Sequence, residues 1–288
     1  NQLSLDHDQH TGTVSEPRSF TQLNKLFLYQ NQLTGTVPAF GNLRKLQYLL
    51  LSENQLNGTI PEQLWVLSKL RYLALGSNCM EGILPESLCQ IKELKLLELT
   101  SMGGGKSCRD DTFKDTFLEN YFNGFTTTKY LKGTIPDCIW SLPNLATLYA
   151  GGNRICGQIP EVLGPQLMNL SLPFNYLNGT LPSALVTNPS ISTVSLQHNR
   201  LTGDLGAFSH VSHLEHFNAT VNSLSGTIPK SLLGLADIDI LRGNVFGCHL
   251  SGRDLPSSDP SSDKYQCGSN LYNISLYTFL VFFVICLA

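Results

Sequence analysis

Charge is scarce in this chain. Only 14% of its 288 residues are Asp, Glu, Lys or Arg, and 19 basic against 22 acidic residues leave a formal net charge of −3. No basic stripe is on offer to follow a phosphate backbone, so nucleic acid is not an expected partner. Disorder is excluded from the other side, because 42% of the residues are hydrophobic, ample for a large buried core. Metal-ligand spacing is missing: the eight cysteines include no CxxC pair.

Apparent active-site signals dissolve on inspection. Gly103-Gly104-Gly105-Lys106-Ser107 ends like a phosphate loop, but Thr100 stands where the first glycine is required, and no strand–loop–helix context surrounds it. His210, His213 and His216 alternate with Val211, Leu214 and Phe217, which reads as solvated histidines beside a buried row. Adjacent Asp110 and Asp111 do not make an acid/base pair. With no nucleophile, base and oxyanion constellation, no catalytic residue, metal or cofactor is expected, and the chain does not read as an enzyme.

What the sequence does have is repetition. LTGTVP ends at Pro38, LNGTIP at Pro61, MEGILP at Pro85, LKGTIP at Pro136, ICGQIP at Pro160, LNGTLP at Pro182 and LSGTIP at Pro229. An Asn precedes most of these phrases: Asn31, Asn54, Asn78, Asn153, Asn175, Asn199 and Asn222, with Asn244 continuing the series and Asp8 standing in for it in the first coil. Where uninterrupted, the spacing is 22 to 24 residues. Upstream of each Asn lies an alternating apolar triplet, such as Leu26-Phe27-Leu28 or Leu49-Leu50-Leu51. Period two over so few residues predicts a very short strand whose outer members point inward and whose middle residue points out. Anchors three apart, such as Leu64, Leu67 and Leu70, suit a 3-10 or helical return. One repeat is then a strand, a polar turn and a helical return, and copies must stack because none covers its own apolar face. The Asn is expected to turn inward and bond backbone groups of adjacent coils.

The pattern LxxLxLxxNxLxGxIP resembles that of plant-type leucine-rich repeat proteins, over about residues 1–250. The family includes ectodomains of plant receptor-like proteins and receptor kinases, polygalacturonase-inhibiting proteins and protist surface antigens. The resemblance implies an α/β solenoid: a right-handed superhelix of about ten repeats with a parallel sheet on its concave face. It also implies that Cys248 and Cys267 pair like the cap cysteines of extracellular members.

The register fails once. A ladder residue falls due at Met102, whereas the next LxGTIP phrase implies Lys129, so Gly103–Thr128 reads as an insertion in the fifth repeat, either a flap beside the concave face or a surface loop. Cys89 and Cys138 flank it, and a bridge between them, or from one of them to Cys108, fits the spacing; no pairing is assigned to Cys79 or Cys156. Leu3-Ser4-Leu5 is already a repeat strand, so a signal peptide and an N-terminal cap are expected upstream. The organisation is therefore a solenoid over 1–247, a cysteine cap and linker over 248–270, and a hydrophobic anchor tail over 271–288. The tail's apolar stretch, 276–288, follows Gly268-Ser269-Asn270 and resembles a GPI-attachment signal, with a single-pass helix as the alternative. Cys286 lies within it and is expected to be unpaired. Either reading predicts membrane attachment at the outer cell surface.

Five N-x-S/T sequons begin at Asn57, Asn169, Asn178, Asn218 and Asn273. Asn57 and Asn178 fall in the polar turn and Asn218 on the concave sheet. On that sheet the register points Phe27, Tyr29, Tyr48, Leu50, Tyr72, Glu98 and Tyr149 outward, whereas Ser171, Ser195 and Asn218 follow towards the C-terminus. Exposed aromatics on a rigid sheet are binding hot-spot candidates. The expected function is a cell-surface recognition or adhesion protein that binds a protein, peptide or glycan there. The alternatives are a secreted enzyme inhibitor and a surface-coat antigen without a defined ligand.

Overall fold

The computed structural model describes residues 1–15, 19–103, 108, 129–211, 213–249 and 252–267. Most of the stretch read as an insertion, and the whole of 268–288 with Asn273 and Cys286, lie outside the described residues. Among those described, no helix is long and apolar enough to cross a membrane.

Ten three-residue strands stack in chain order into one parallel sheet: Gln2–Ser4, Lys25–Phe27, Tyr48–Leu50, Tyr72–Ala74, Leu96–Glu98, Thr147–Tyr149, Asn169–Ser171, Thr193–Ser195, His216–Asn218 and Asp237–Asp239. The register is in step from coil to coil, with Leu26 beside Leu49, Leu49 beside Leu73 and Leu73 beside Leu97. Alternation does what it predicts. Leu26, Leu28, Leu49 and Leu51 are buried, while Phe27 and Leu50 between them are half-buried on the outer surface. The returns are single turns such as Glu62–Val66, and Leu64, Leu67 and Leu70 sit fully buried along one. A solenoid of stacked coils around one continuous leucine core results.

The LxGT phrases depart from expectation. They are strands rather than turns, and build a second parallel sheet of seven members that includes Gln32–Thr36, Gln55–Thr59, Cys79–Ile83, Leu131–Thr134 and Arg154–Gly157. Three further phrases make a shorter sheet of Thr202–Gly203, Ser223–Thr227 and Val245–Gly247. Glycine allows this close stacking: a Cβ on Gly58, whose φ is +77°, would lie 3.1 Å from the Thr36 methyl of the coil before. Asn57 is consequently half-buried in a strand instead of exposed in a turn, whereas Asn178 is exposed.

The Asn ladder lies between the two sheets. Asn54 donates to the carbonyls of Leu28 and Leu51 at 2.8 and 3.0 Å and accepts the Leu33 amide at 3.1 Å. Asn31, Asn78, Asn153, Asn175, Asn199, Asn222 and Asn244 repeat the arrangement. Asp8 does not join them. It is exposed, pairs with His10 at 3.5 Å, and has no preceding coil in the described chain to bond. At the break, Met102 is fully buried in the ladder position, and its own carbonyl takes the Met80 amide at 2.8 Å. That replaces the oxygen a ladder Asn would have supplied.

The residue before each ladder position adopts a left-handed conformation: Gln30, Glu53, Ser77, Ser101, Phe174, His198 and Val221 all have φ between 50 and 58°, and Gly152 and Gly243 occupy the same column. A β-branched residue is the worst suited to it. Val221→Gly is expected to raise stability by about 0.5–1 kcal/mol, the relief of left-handed strain less glycine's extra chain entropy. Urea unfolding checks this, and a lowered midpoint would show that the Val221 side chain contributes more packing than its backbone costs.

Among the described residues, three disulfides brace the coils. Cys89–Cys138 joins returns on either side of the break, with Cα atoms 5.8 Å apart. Cys79–Cys108, at 5.1 Å, ties residue 108 to the second sheet. Cys248–Cys267, at 5.3 Å, closes the C-terminal end, and Cys156 is free and half-buried. Of the histidine trio, His210 and His216 are exposed, but His213 is not the solvated residue expected: its Nε2 is shut from solvent with no hydrogen-bond partner among the described residues.

Candidate functional site

The outward residues of the first sheet form columns because every strand is in register. In the first column Tyr48 and Tyr72 are neighbours, with rings stacked 4.5 Å apart and only 4° from parallel. Phe27 meets Tyr48 edge-on at 6.2 Å, and the Lys25 ammonium lies over that ring at 4.9 Å. Leu50, Ala74 and Leu96 floor the space beside them, and Tyr149 stands beyond Glu98 on the adjacent strand. Together with Tyr29 and Ser52 these side chains line one groove of about 500 Å³.

Phe27, Tyr29, Tyr48, Leu50, Tyr72, Glu98 and Tyr149 are thus brought together in a single concavity. Leu96 and Ser52 line it too and were missed. Leu96 follows Tyr48 and Tyr72 in the same column, so the register alone could have found it.

Polar groups mark the two ends. At one end Ser4 donates to Asp6 and holds its carboxyl below the usual carboxylate range, and the hydrogen bond with Asp6 pushes the Tyr29 hydroxyl above the ordinary phenol value. At the other end the Glu98 carboxylate accepts from the Ser52 hydroxyl at 2.8 Å, the Gly76 amide at 3.0 Å and the Thr100 amide at 2.9 Å. These contacts hold Glu98 as a fixed wall. The arrangement requires glycine at 76, because a Cβ there would fall 2.1 Å from a Glu98 oxygen.

Beyond Tyr149 the surface changes. Ser171, Ser195 and Asn218 continue the middle column, the Ser195 hydroxyl donating to Gln197 at 2.7 Å and the Asn218 oxygen accepting from Thr220. Asn169 heads the first column on its strand, so two of the sequons open onto this half of the sheet.

The cluster of Glu86, Cys89 and Cys138 has the composition of a cation site, but both thiols are consumed in their disulfide. The described residues offer no other such group.

The family model for the Leucine Rich Repeat matches residues 45–67, one full turn from the Tyr48 strand through the Glu62–Val66 return. The fold is that of a leucine-rich repeat solenoid. Among solved structures, the plant peptide hormone receptor RGFR1 in complex with RGF2 is 30% identical over 85% of this chain and 36% of its own, with a TM-score of 0.68. PEPR1–AtPEP1 is 28% identical over 85% of this chain and 35% of its own, at a TM-score of 0.64. The Arabidopsis receptor kinase HAESA, solved with the peptide hormone IDA and the co-receptor SERK1, shares the fold at a TM-score of 0.73 and 24% identity, over 90% of this chain and 40% of its own. The chain therefore spans between a third and two-fifths of the length of those chains. No curated protein matches it.

Proposed function

We propose that the aromatic groove binds an extended peptide or protein segment, and that the chain acts as a recognition scaffold at the cell surface rather than as an enzyme. The observation that carries this reading is the convergence of Phe27, stacked Tyr48 and Tyr72, and Tyr149 in one rigid concavity. The groove runs over five adjacent strands, about 19 Å at the ~4.8 Å strand spacing, which matches about six residues of extended chain. Its middle is apolar and its ends carry Asp6, Lys25 and Glu98, the layout that fixes a peptide's register while burying its centre. The rings are already packed on one another, so little ordering entropy opposes binding. The similarity to the plant peptide hormone receptor RGFR1 supports a peptide over a glycan. Placement at the cell surface rests on the sequence of the 271–288 tail and on that similarity.

Phe27→Ala with Tyr72→Ala is expected to weaken ligand binding by about 2 kcal/mol or more, with the unfolding midpoint unchanged because neither ring belongs to the leucine core. A Ser171→Ala/Ser195→Ala pair serves as control. Binding to a displayed peptide library, followed by titration of a selected peptide, reads the effect. Equal losses in both pairs, or none in either, would take the groove out of the argument.

A further inference from the structure

A second surface runs along the sheet of LxGT strands, on coils beyond the break. The residue that follows each ladder position points outward there, and in four consecutive coils it is Tyr130, Arg154, Tyr176 and Arg200. Each guanidinium packs on a tyrosine. Arg154 lies over the Tyr130 ring at 4.5 Å and Arg200 over the Tyr176 ring at 4.4 Å. Arg154, Tyr176 and Arg200 are exposed, and neither arginine has a carboxylate partner among the described residues. Alongside them Phe174 stacks on His198 at 4.3 Å and remains 54% exposed.

The charge around this ladder is one-sided. The next outward positions on the same coils are Lys132, Cys156, Asn178 and Thr202, without a carboxylate. Glu81 and Asp204 stand only at the two ends, and Asp204 already accepts the Gly206 amide at 2.8 Å. On a chain of net charge −3, this is a local concentration of unpaired cations. A guanidinium held over a ring makes no hydrogen bond to it and keeps its N–H donors available, which suits bidentate capture of a carboxylate.

We infer that this arginine–tyrosine ladder docks an acidic, extended segment of a partner protein, separate from the ligand of the concave groove. Arg154 and Arg200 are two coils apart, about 9–10 Å at the strand spacing. A polyproline-type chain returns every third side chain to the same face at about 9.3 Å, so carboxylates at every third position meet both forks. The intervening residues then lie against Tyr176 and Phe174.

The test uses the full chain after removal of N-glycans, because Asn178 of the Asn178-Gly179-Thr180 sequon opens onto the same surface. A fluorescein-labelled peptide of four Glu-Pro-Pro units is titrated by anisotropy, with a Lys-Pro-Pro peptide and an oligogalacturonate as comparison probes. The acidic peptide should bind, and raising salt from about 50 to about 300 mM should weaken it several-fold. Arg154→Gln with Arg200→Gln should weaken it at least tenfold. Arg154→Lys with Arg200→Lys should also weaken it, by a smaller factor, since charge is kept and the planar fork is lost. Phe27→Ala with Tyr72→Ala should leave it within twofold. The inference is overturned if the acidic peptide does not bind, if the double Gln variant binds it like wild type, or if only oligogalacturonate binds.

Discussion

Replacing Asn78 by Leu is expected to lower the unfolding free energy by about 4 kcal/mol, although the two side chains are close in size. Asn78 is completely buried. Its oxygen accepts the Leu56 amide at 3.0 Å, and its nitrogen donates to the carbonyls of Leu51, Leu75 and Gly76 at 3.0, 2.8 and 3.2 Å. Leucine fills the space and pairs none of these groups, and each buried group left without a partner costs about 1–3 kcal/mol. Met102 shows what tolerance would require, since there the backbone carbonyl itself turns to the Met80 amide. At position 78 the carbonyl instead faces the Cys108 sulfur at 3.1 Å, and the Leu56 amide is met by the side chain. Urea unfolding followed by far-ultraviolet circular dichroism reads the loss. A change below about 1 kcal/mol would mean that the ladder is ornament rather than support.

The second large effect is expected at the C-terminal end. In every inner coil the amide after the strand triplet donates to the next coil: Leu28 to the Leu50 carbonyl, Leu51 to Ala74, Ala219 to Asp239. The Asp237–Asp239 strand is the last of its sheet and has no next coil. Asp259 supplies the missing acceptors, taking the Ile240 and Leu241 amides at 2.7 and 3.0 Å through one oxygen and the Ser261 amide at 2.9 Å through the other. Tyr265 does the same for the shorter three-membered sheet by accepting the Phe246 amide at 2.6 Å. Asp259 is 3% exposed, so Asp259→Ala leaves two buried amides unpaired, for an expected loss of about 3 kcal/mol. Asp259→Asn keeps one oxygen acceptor and should lose roughly half as much. Amide hydrogen exchange gives the sharper readout. Ile240 and Leu241 should lose protection in the Ala variant while the amides of Leu49 and Leu73 keep theirs, as nearest-neighbour stacking requires. Uniform loss along the solenoid would contradict that picture.

These two sites differ in how visible they are before folding. Asn78 is one of a series set by period and flanking leucines, so its inward turn follows from the repeat. Asp259 belongs to no series, and nothing in its neighbourhood distinguishes it from the other aspartates of that serine- and proline-rich stretch. The same contrast separates the two binding surfaces. Phe27, Tyr48 and Tyr72 are read from alternation within each triplet, because a period of two fixes which side of a strand a residue faces. The arginine–tyrosine ladder was hidden, because the phrase that carries it reads as a turn until glycine-mediated stacking makes it a strand.

The amino-acid sequence alone determined the solenoid, its register, the leucine core, the Asn ladder and the outward face of the first sheet. Each of these depends on side-chain periodicity and on backbone groups that every repeat must satisfy in the same way, so one coil predicts the next. Only the tertiary structure decided the second sheet, the pairing of Cys79 with Cys108, the bracing of Glu98 by Ser52 and Gly76, the closure by Asp259, and the meeting of Arg154 with Tyr130 and Arg200 with Tyr176. Those contacts join residues from different coils whose approach depends on stacking distance and rotamer, and neither is encoded within a single repeat.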